Sequence, residues 1–152
     1  MSTADTTCCF TGHRPAKLPW GSGENDPRCR ALKLEIAARL DGIVQIGYRN
    51  FICGMAEGCD MYFAEAVLEL RSRFPDVTLE AAIPCDRQAD KWDIAQQRRY
   101  EHIMAESDTV TFVQHQYSPG CMMRRNRYMV DHAAHILTVY NGVPQGLSLI
   151  HI

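Results

Sequence analysis

The 152-residue chain lacks the features that would assign it to a membrane or secreted class of protein. No apolar run approaches the roughly 18 residues that a transmembrane helix needs, and residues 1–7 lack the basic and apolar build of a secretory signal. The seven cysteines form no C-x-x-C pair, and their number is odd. We therefore expect a cytoplasmic protein with reduced thiols and no membrane segment.

An excess of positive charge is also missing, because the formal net charge is −2. A broad basic surface for a nucleic-acid backbone is therefore not expected. The fractions of hydrophobic (46%) and charged (22%) residues are those of an ordinary globular protein, and the length suits one core. We predict a single domain over residues 1–152, and the charge disfavours nucleic acid as a partner.

Neither a metal site nor a cysteine nucleophile is indicated. His132 and His135 are three residues apart at a predicted helix end, and no cysteine pair has zinc spacing, so we expect no metal. Cys8 and Cys9 lie in a short apolar run near His13, where neighbouring strand side chains point to opposite faces. Both cysteines are therefore predicted to be packing residues.

Five short apolar runs alternate with helical patterns along the chain. Parallel strands need crossover connections, which are usually helices, so this alternation predicts an α/β protein. We predict a Rossmann-like three-layer sandwich with a mostly parallel sheet of about five strands. The predicted strands are residues 6–11, 51–53, 77–83, 109–113 and 136–140, and the predicted helices are residues 26–47, 61–74, 90–106 and 122–132.

Ligands of open parallel sheets bind outside the carboxyl ends of the strands. The residues that follow the five predicted strands are therefore the candidates for ligand binding. They are Thr11, Gly12, His13, Arg14, Gly54, Met55, Ala56, Glu57, Gly58, Asp60, Pro84, Trp92, Tyr117, Arg124, Arg125, Asn126, Asn141 and Gly142.

The loop of residues 54–60 carries glycines four apart between a strand and a helix. Its backbone can approach a ligand closely, and the helix supplies amino-terminal N–H groups, so an anion cradle is one interpretation. The other is a tight turn with Asp60 as a helix cap. The loop matches neither G-x-G-x-x-G nor a P-loop. Glu57 and Asp60 would repel a phosphate, so we expect at least one to bind a ribose hydroxyl, a backbone amide or an arginine.

Other candidates also have two interpretations. Arg14 offers a planar fork for phosphate and His13 titrates near neutral pH, but both could only hold the loop that follows. The cluster at residues 124–127 is either a solvated helix face or a source of one ligand contact. Trp92 and Tyr117 could stack on a base or belong to the core.

Several segments together resemble the YpsA-like family of the SLOG superfamily, which is related to the Smf DNA-processing proteins and the LOG phosphoribohydrolases. The resemblance implies a Rossmann-like fold, a cleft between residues 11–14 and 54–60, and a nucleotide or nucleotide-derived ligand such as ADP-ribose or an NAD-like molecule. The segments are Cys8-Cys-Phe-Thr-Gly-His-Arg-Pro15, Lys17-Leu-Pro-Trp-Gly21, Gly54-Met-Ala-Glu-Gly-Cys-Asp60, Ala82-Ile-Pro84, Gln88-Ala-Asp-Lys-Trp92 and Arg125-Asn-Arg-Tyr-Met-Val-Asp131.

The chain departs from this family in two places. The phosphoribohydrolase signature Pro-Gly-Gly-x-Gly-Thr is absent, which argues against that catalysis. After residues 140–142, the chain has Val143-Pro-Gln-Gly146 and an apolar tail where the family continues into a Gly-Gly-Thr loop and a helix. We expect a truncated or altered end without the covering helix, and a tail that could contact a second subunit in a homo-oligomer.

Three functions follow, and the first is binding of a nucleotide-derived small molecule, with no other cofactor. The second is hydrolysis of an N-glycosidic or phosphate bond, with Glu57, Asp60 or His13 as the catalytic candidates. The third is binding of single-stranded DNA, which the acidic net charge disfavours.

Overall fold

The computed structural model describes residues 3–12, 18–139 and 147–151. Within these ranges, no helix is long and apolar enough to cross a membrane. A 3-10 turn at Thr3–Thr6 precedes the first strand. The strands are β1 (Thr7–Thr11), β2 (Asn50–Cys53), β3 (Thr78–Ile83), β4 (Thr109–Phe112), β5 (His135–Val139) and β6 (Leu147–His151), and the helices are α1 (Pro27–Gln45), α2 (Cys59–Leu70), α3 (Ile94–Glu106) and α4 (Cys121–Asp131).

The strands form one sheet in the order β4-β3-β2-β1-β5-β6. Strands β1 to β5 are parallel, which confirms the predicted Rossmann-like α/β fold. Strand β6, which was not predicted, is antiparallel to β5. An antiparallel partner needs no crossover helix, so the strand–helix alternation that predicts the other strands does not predict this one.

Helices cover the two faces of the sheet unequally. The main core contains Phe10 and Phe51 of the sheet together with Leu32 of α1, Phe63 of α2 and Ile103 of α3. A smaller core joins Met129 of α4 to the opposite face. Right-handed crossovers explain this division, because three steps in one direction place three helices on one side and the return step places α4 on the other.

Helix α1 begins and ends where the sequence predicts. The Asp26 side chain accepts a hydrogen bond from the Arg28 amide at 2.8 Å, and Pro27 is the first helical residue. At the other end, Gly47 has φ 111°, and its amide donates to the Val44 carbonyl at 3.0 Å. A glycine adopts this left-handed conformation without a Cβ penalty and ends the helix.

The predicted bounds of α2 and α3 were wrong by a few residues. Helix α2 begins at Cys59 rather than residue 61, because Gly58 is its N-cap, and it ends at Leu70 rather than residue 74. Helix α3 begins at Ile94 rather than residue 90, because the Asp93 side chain accepts from the Gln96 amide at 2.9 Å. In both helices, the N-cap residue sets the first helical residue, which the apolar periodicity does not locate to within a few positions.

Candidate functional site

The sheet reverses its strand order at β1, which lies between β2 and β5. The Thr11 hydroxyl donates to the Thr138 hydroxyl at 3.1 Å and joins the carboxyl ends of β1 and β5. Such a reversal leaves a crevice where ligands of doubly wound folds bind. A cleft of about 150 Å³ lies there, lined by Phe10, Thr11, Gly12, Ala56, Asp60, Met122, Arg125, Asn126 and Met129.

Gly12 lets β1 approach the start of α2. A Cβ atom at Gly12 would lie 2.5 Å from the Cβ of Cys59 and 2.9 Å from the Phe10 ring. Because Cβ atoms do not approach so closely, only glycine fits between the strand end and the helix. This close approach brings the end of β1 beside the amino end of α2, where the helix dipole favours negative charge.

The 54–60 loop contains two residues with unusual backbone angles. Met55 is fully buried and has φ 62°, which is uncommon for a residue with a side chain. Gly58, the N-cap of α2, has φ 86° and ψ −127°. Conformations of this kind persist where the surroundings determine them, and they concentrate at functional sites.

The Asp60 carboxylate holds this loop from the first turn of α2. Asp60 is 6% exposed, and its Oδ2 accepts a hydrogen bond from the Ala56 amide at 3.0 Å. The sequence expectation that an acidic residue of the loop binds a backbone amide is therefore met by Asp60. The cap interpretation was wrong in detail, because Gly58 is the N-cap and Asp60 lies one residue beyond the start of the helix.

Arg125 projects from α4 onto the other side of the loop. It is 5% exposed, its Nη1 donates to the Gly54 carbonyl, and its Nε donates to the Asn126 side chain at 2.8 Å. A Cβ atom at Gly54 would lie 2.5 Å from Nη1, so the guanidinium occupies the space that the missing side chain leaves. The neighbouring Arg124 and Arg127 are exposed, so the solvated-face interpretation of the arginine cluster holds for them and fails for Arg125.

The Gly54 carbonyl has a second donor, Gln88, whose Nε2 lies 3.4 Å away. The Gln88 amide also donates to the Tyr100 hydroxyl, and the Trp92 ring packs edge-on against Tyr100 with 5.2 Å between centroids. Trp92 is therefore half-buried against α3 and does not line the cleft. Gln88 supports the loop from the segment between β3 and α3.

Sequence reasoning did not select Gln88, Met122 or Met129 as site residues. Met122 and Met129 line the cleft on either side of Arg125, at spacings of three and four residues along α4. Such spacing places all three side chains on one helix face. The sequence therefore contained this spacing, but the prediction relied on the charge of the neighbouring arginines instead.

The other predicted site residues lie at different distances from the cleft. Glu57 is half-buried in the 54–60 loop without lining the cleft. Pro84 is buried directly after β3, and Tyr117 is exposed after β4. His13, Arg14, Asn141 and Gly142 lie outside the described residues, so their predicted roles stay predictions.

The thiols of β1 are packing groups, as the sequence predicts. Cys8 and Cys9 are fully buried, and burial raises the pKa of each thiol to about 12. A thiol with such a pKa is protonated at neutral pH and is a poor nucleophile.

The two histidines considered for metal binding have separate partners. The His132 Nδ1 contacts the Tyr128 carbonyl at 2.7 Å, and the His135 Nδ1 contacts the Tyr48 hydroxyl. Over the part of the chain that the structure describes, no group of three His, Cys, Asp or Glu side chains is arranged to hold a metal ion.

Comparisons with known proteins identify the family of the chain. The family model described as the YspA SLOG family (YpsA) matches residues 8–148. A UPF0398 protein of Bacillus pumilus is 26% identical over 133 residues, which are 86% of this chain and 71% of that protein. UPF0398 proteins of Bacillus licheniformis and Bacillus thuringiensis are 25% and 27% identical, covering 90% and 86% of this chain and 75% and 72% of theirs. Because the family model spans most of the sequence, the chain belongs to the YpsA family of SLOG proteins.

Proposed function

We propose that the chain binds a nucleotide or a nucleotide-derived ligand, of the ADP-ribose or NAD-like kind, in the cleft at the carboxyl ends of β1 and β2. The observation that carries the proposal is the position of Arg125, a buried cation at the point where the strand order reverses. A buried guanidinium beside a helix amino end creates a positive potential suited to a phosphate.

Polar groups of different kinds border the cleft. Arg125 and the amino end of α2 favour an anion, whereas Thr11 and Asn126 offer hydroxyl and amide groups suited to a sugar. Asp60 is bound to the Ala56 amide, so its charge is already stabilised within the loop. This combination supports a ligand with both a phosphate and a sugar.

The size of the cleft limits what the described residues can enclose. Pockets for complete small-molecule ligands usually measure about 300–1,000 Å³. The cleft of about 150 Å³ is smaller, and it suits one phosphate or one sugar of a larger ligand. We infer that these residues bind one phosphate or the neighbouring sugar, while the rest of the ligand extends beyond them.

Isothermal titration calorimetry with ADP-ribose, NAD and AMP tests the proposal. We expect saturable binding that Arg125→Met weakens about 10-fold or more, since a hydrogen bond involving a charged group contributes about 1.5–3 kcal/mol. Asn126→Ala should also weaken binding, because it removes an amide of the cleft and the acceptor of the Arg125 Nε hydrogen bond. Arg127→Met is the matched control, since it removes the same charge from an exposed position on the same helix.

Two results would contradict the proposal. One is the absence of saturable binding of all three nucleotides by the folded wild-type protein. The other is an equal loss of affinity in Arg125→Met and Arg127→Met, which would show that only the net charge matters and not the cleft.

A further inference from the structure

Strand β4 forms one edge of the sheet and is unusually exposed. Among the described strands it pairs with β3 alone, and three of its four residues are exposed. An edge strand directs a row of backbone N–H and C=O groups away from the sheet, where another strand can pair with them. Natural proteins usually protect such an edge with charged residues, proline or a bulge.

The sequence of β4, Thr-Val-Thr-Phe, contains no charged residue and no proline. Val110 and Phe112 are 37% and 40% exposed, and their register with Ala81 and Ile83 places them on the face that packs against α1, α2 and α3. Thr111 points to the opposite face, where its hydroxyl donates to Glu80 at 2.8 Å. The edge therefore offers a neutral hydrogen-bonding row with two apolar side chains on one face.

We propose that β4 pairs with β4 of a second copy of the chain, antiparallel, about a two-fold axis at Thr111. A two-fold axis perpendicular to the sheet makes the paired strands antiparallel and closes the assembly as a dimer. In this register, Val110 of each copy lies opposite Phe112 of the other, and Thr111 lies opposite itself. Pairs of aromatic and β-branched side chains are favourable cross-strand neighbours.

The neighbouring registers fit less well. An axis at Val110 would place Phe112 opposite Asp108, whose carboxylate is paired with Arg71 at 3.0 Å. An axis at Phe112 would place Val110 opposite Gln114 and leave its apolar surface uncovered. Only the axis at Thr111 covers all four apolar side chains with one another, and it brings no like charges together. This self-complementarity is why we propose a second copy rather than an unrelated strand.

Engineered cysteines test the register. Thr111→Cys should form an intermolecular disulfide under copper–phenanthroline oxidation, since opposite Cα atoms lie about 4.5–5.5 Å apart and disulfides span about 4.4–6.8 Å. The seven native cysteines are all buried, which keeps the background low. Thr109→Cys is the matched control: its two copies would be offset by four residues, about 13 Å, and should not cross-link. Equal cross-linking of both variants, or of neither, would overturn the proposal.

The oligomeric state tests the interface independently. Light scattering after gel filtration should give twice the chain mass of 17.2 kDa for the wild type and a single chain mass for Phe112→Lys. Leu34→Lys is the control, because Leu34 is 73% exposed on α1, away from the edge, and this variant should remain a dimer. A monomeric wild type, or dissociation by Leu34→Lys but not by Phe112→Lys, would overturn the proposal. If Phe112→Lys does not fold, the cross-linking result decides alone.

Discussion

Replacement of Gly54 by alanine is the most direct test of how α4 supports the 54–60 loop. The new Cβ atom would lie 2.5 Å from Nη1, 2.6 Å from Cζ and 2.9 Å from Nε of Arg125. All three contacts are too short, and all three are with one guanidinium. We therefore expect the loop to keep its backbone and Arg125 to leave the Gly54 carbonyl.

The cost follows from the contacts that are lost. A hydrogen bond from a charged donor to a buried carbonyl contributes about 1.5–3 kcal/mol, although Gln88 remains as a weaker donor at 3.4 Å. The displaced guanidinium of Arg125 must repack among buried neighbours, which costs about 1–3 kcal/mol. Alanine also makes the unfolded chain stiffer than glycine does, which offsets about 0.5–1 kcal/mol of this loss. We expect Gly54→Ala to lower the free energy of unfolding by about 2–4 kcal/mol and Tm by roughly 5–15 °C.

Urea unfolding followed by circular dichroism measures this effect. Gly42→Ala is the matched control, because Gly42 lies in α1 with no heavy atom within 4 Å of a new Cβ, and alanine there should stabilise the helix by about 0.5–1 kcal/mol. In an Arg125→Met background, Gly54→Ala should cost at least about 1 kcal/mol less. An equal cost in both backgrounds, or a neutral Gly54→Ala, would refute the clash with Arg125.

Two further predictions concern the neighbouring contacts. Gly12→Ala should destabilise the protein by about 1–3 kcal/mol and weaken nucleotide binding, because the Cβ of Cys59 cannot rotate away from the new methyl group. A variant with the same urea unfolding curve and the same calorimetric affinity as the wild type would contradict this prediction. Burial raises the pKa of Glu24, but the hydrogen bonds from Arg99 and Lys33 outweigh it and leave the pKa below its ordinary value. The stabilisation that ionised Glu24 provides is fully present above the ordinary glutamate pKa, and it is lost as the pH falls through the lowered pKa. Glu24→Gln should therefore lower the free energy of unfolding by about 1–3 kcal/mol at neutral pH and by little in acid. Urea unfolding at both pH values measures this, and the same loss at both would contradict the prediction.

Local patterns in the sequence determined the α/β class, five of the six described strands and the caps of α1. These features depend on neighbouring residues: apolar periodicity within one helix, Asp26 before Pro27, and Gly47 after the last turn. Each acts over a few residues, so reading the chain in order is enough. The position of the cleft also followed, because the carboxyl ends of parallel strands lie at one edge of the sheet.

Tertiary structure alone decided what the inward arginine of α4 contacts and which strand is left at the edge. Arg124, Arg125 and Arg127 carry the same charge, and only the packing of α4 against the sheet directs Arg125 to the Gly54 carbonyl. The exposure of β4 likewise depends on the strand order, which places β1 between β2 and β5. Strand order results from pairing between segments far apart in the chain, so a local sequence pattern does not predict it.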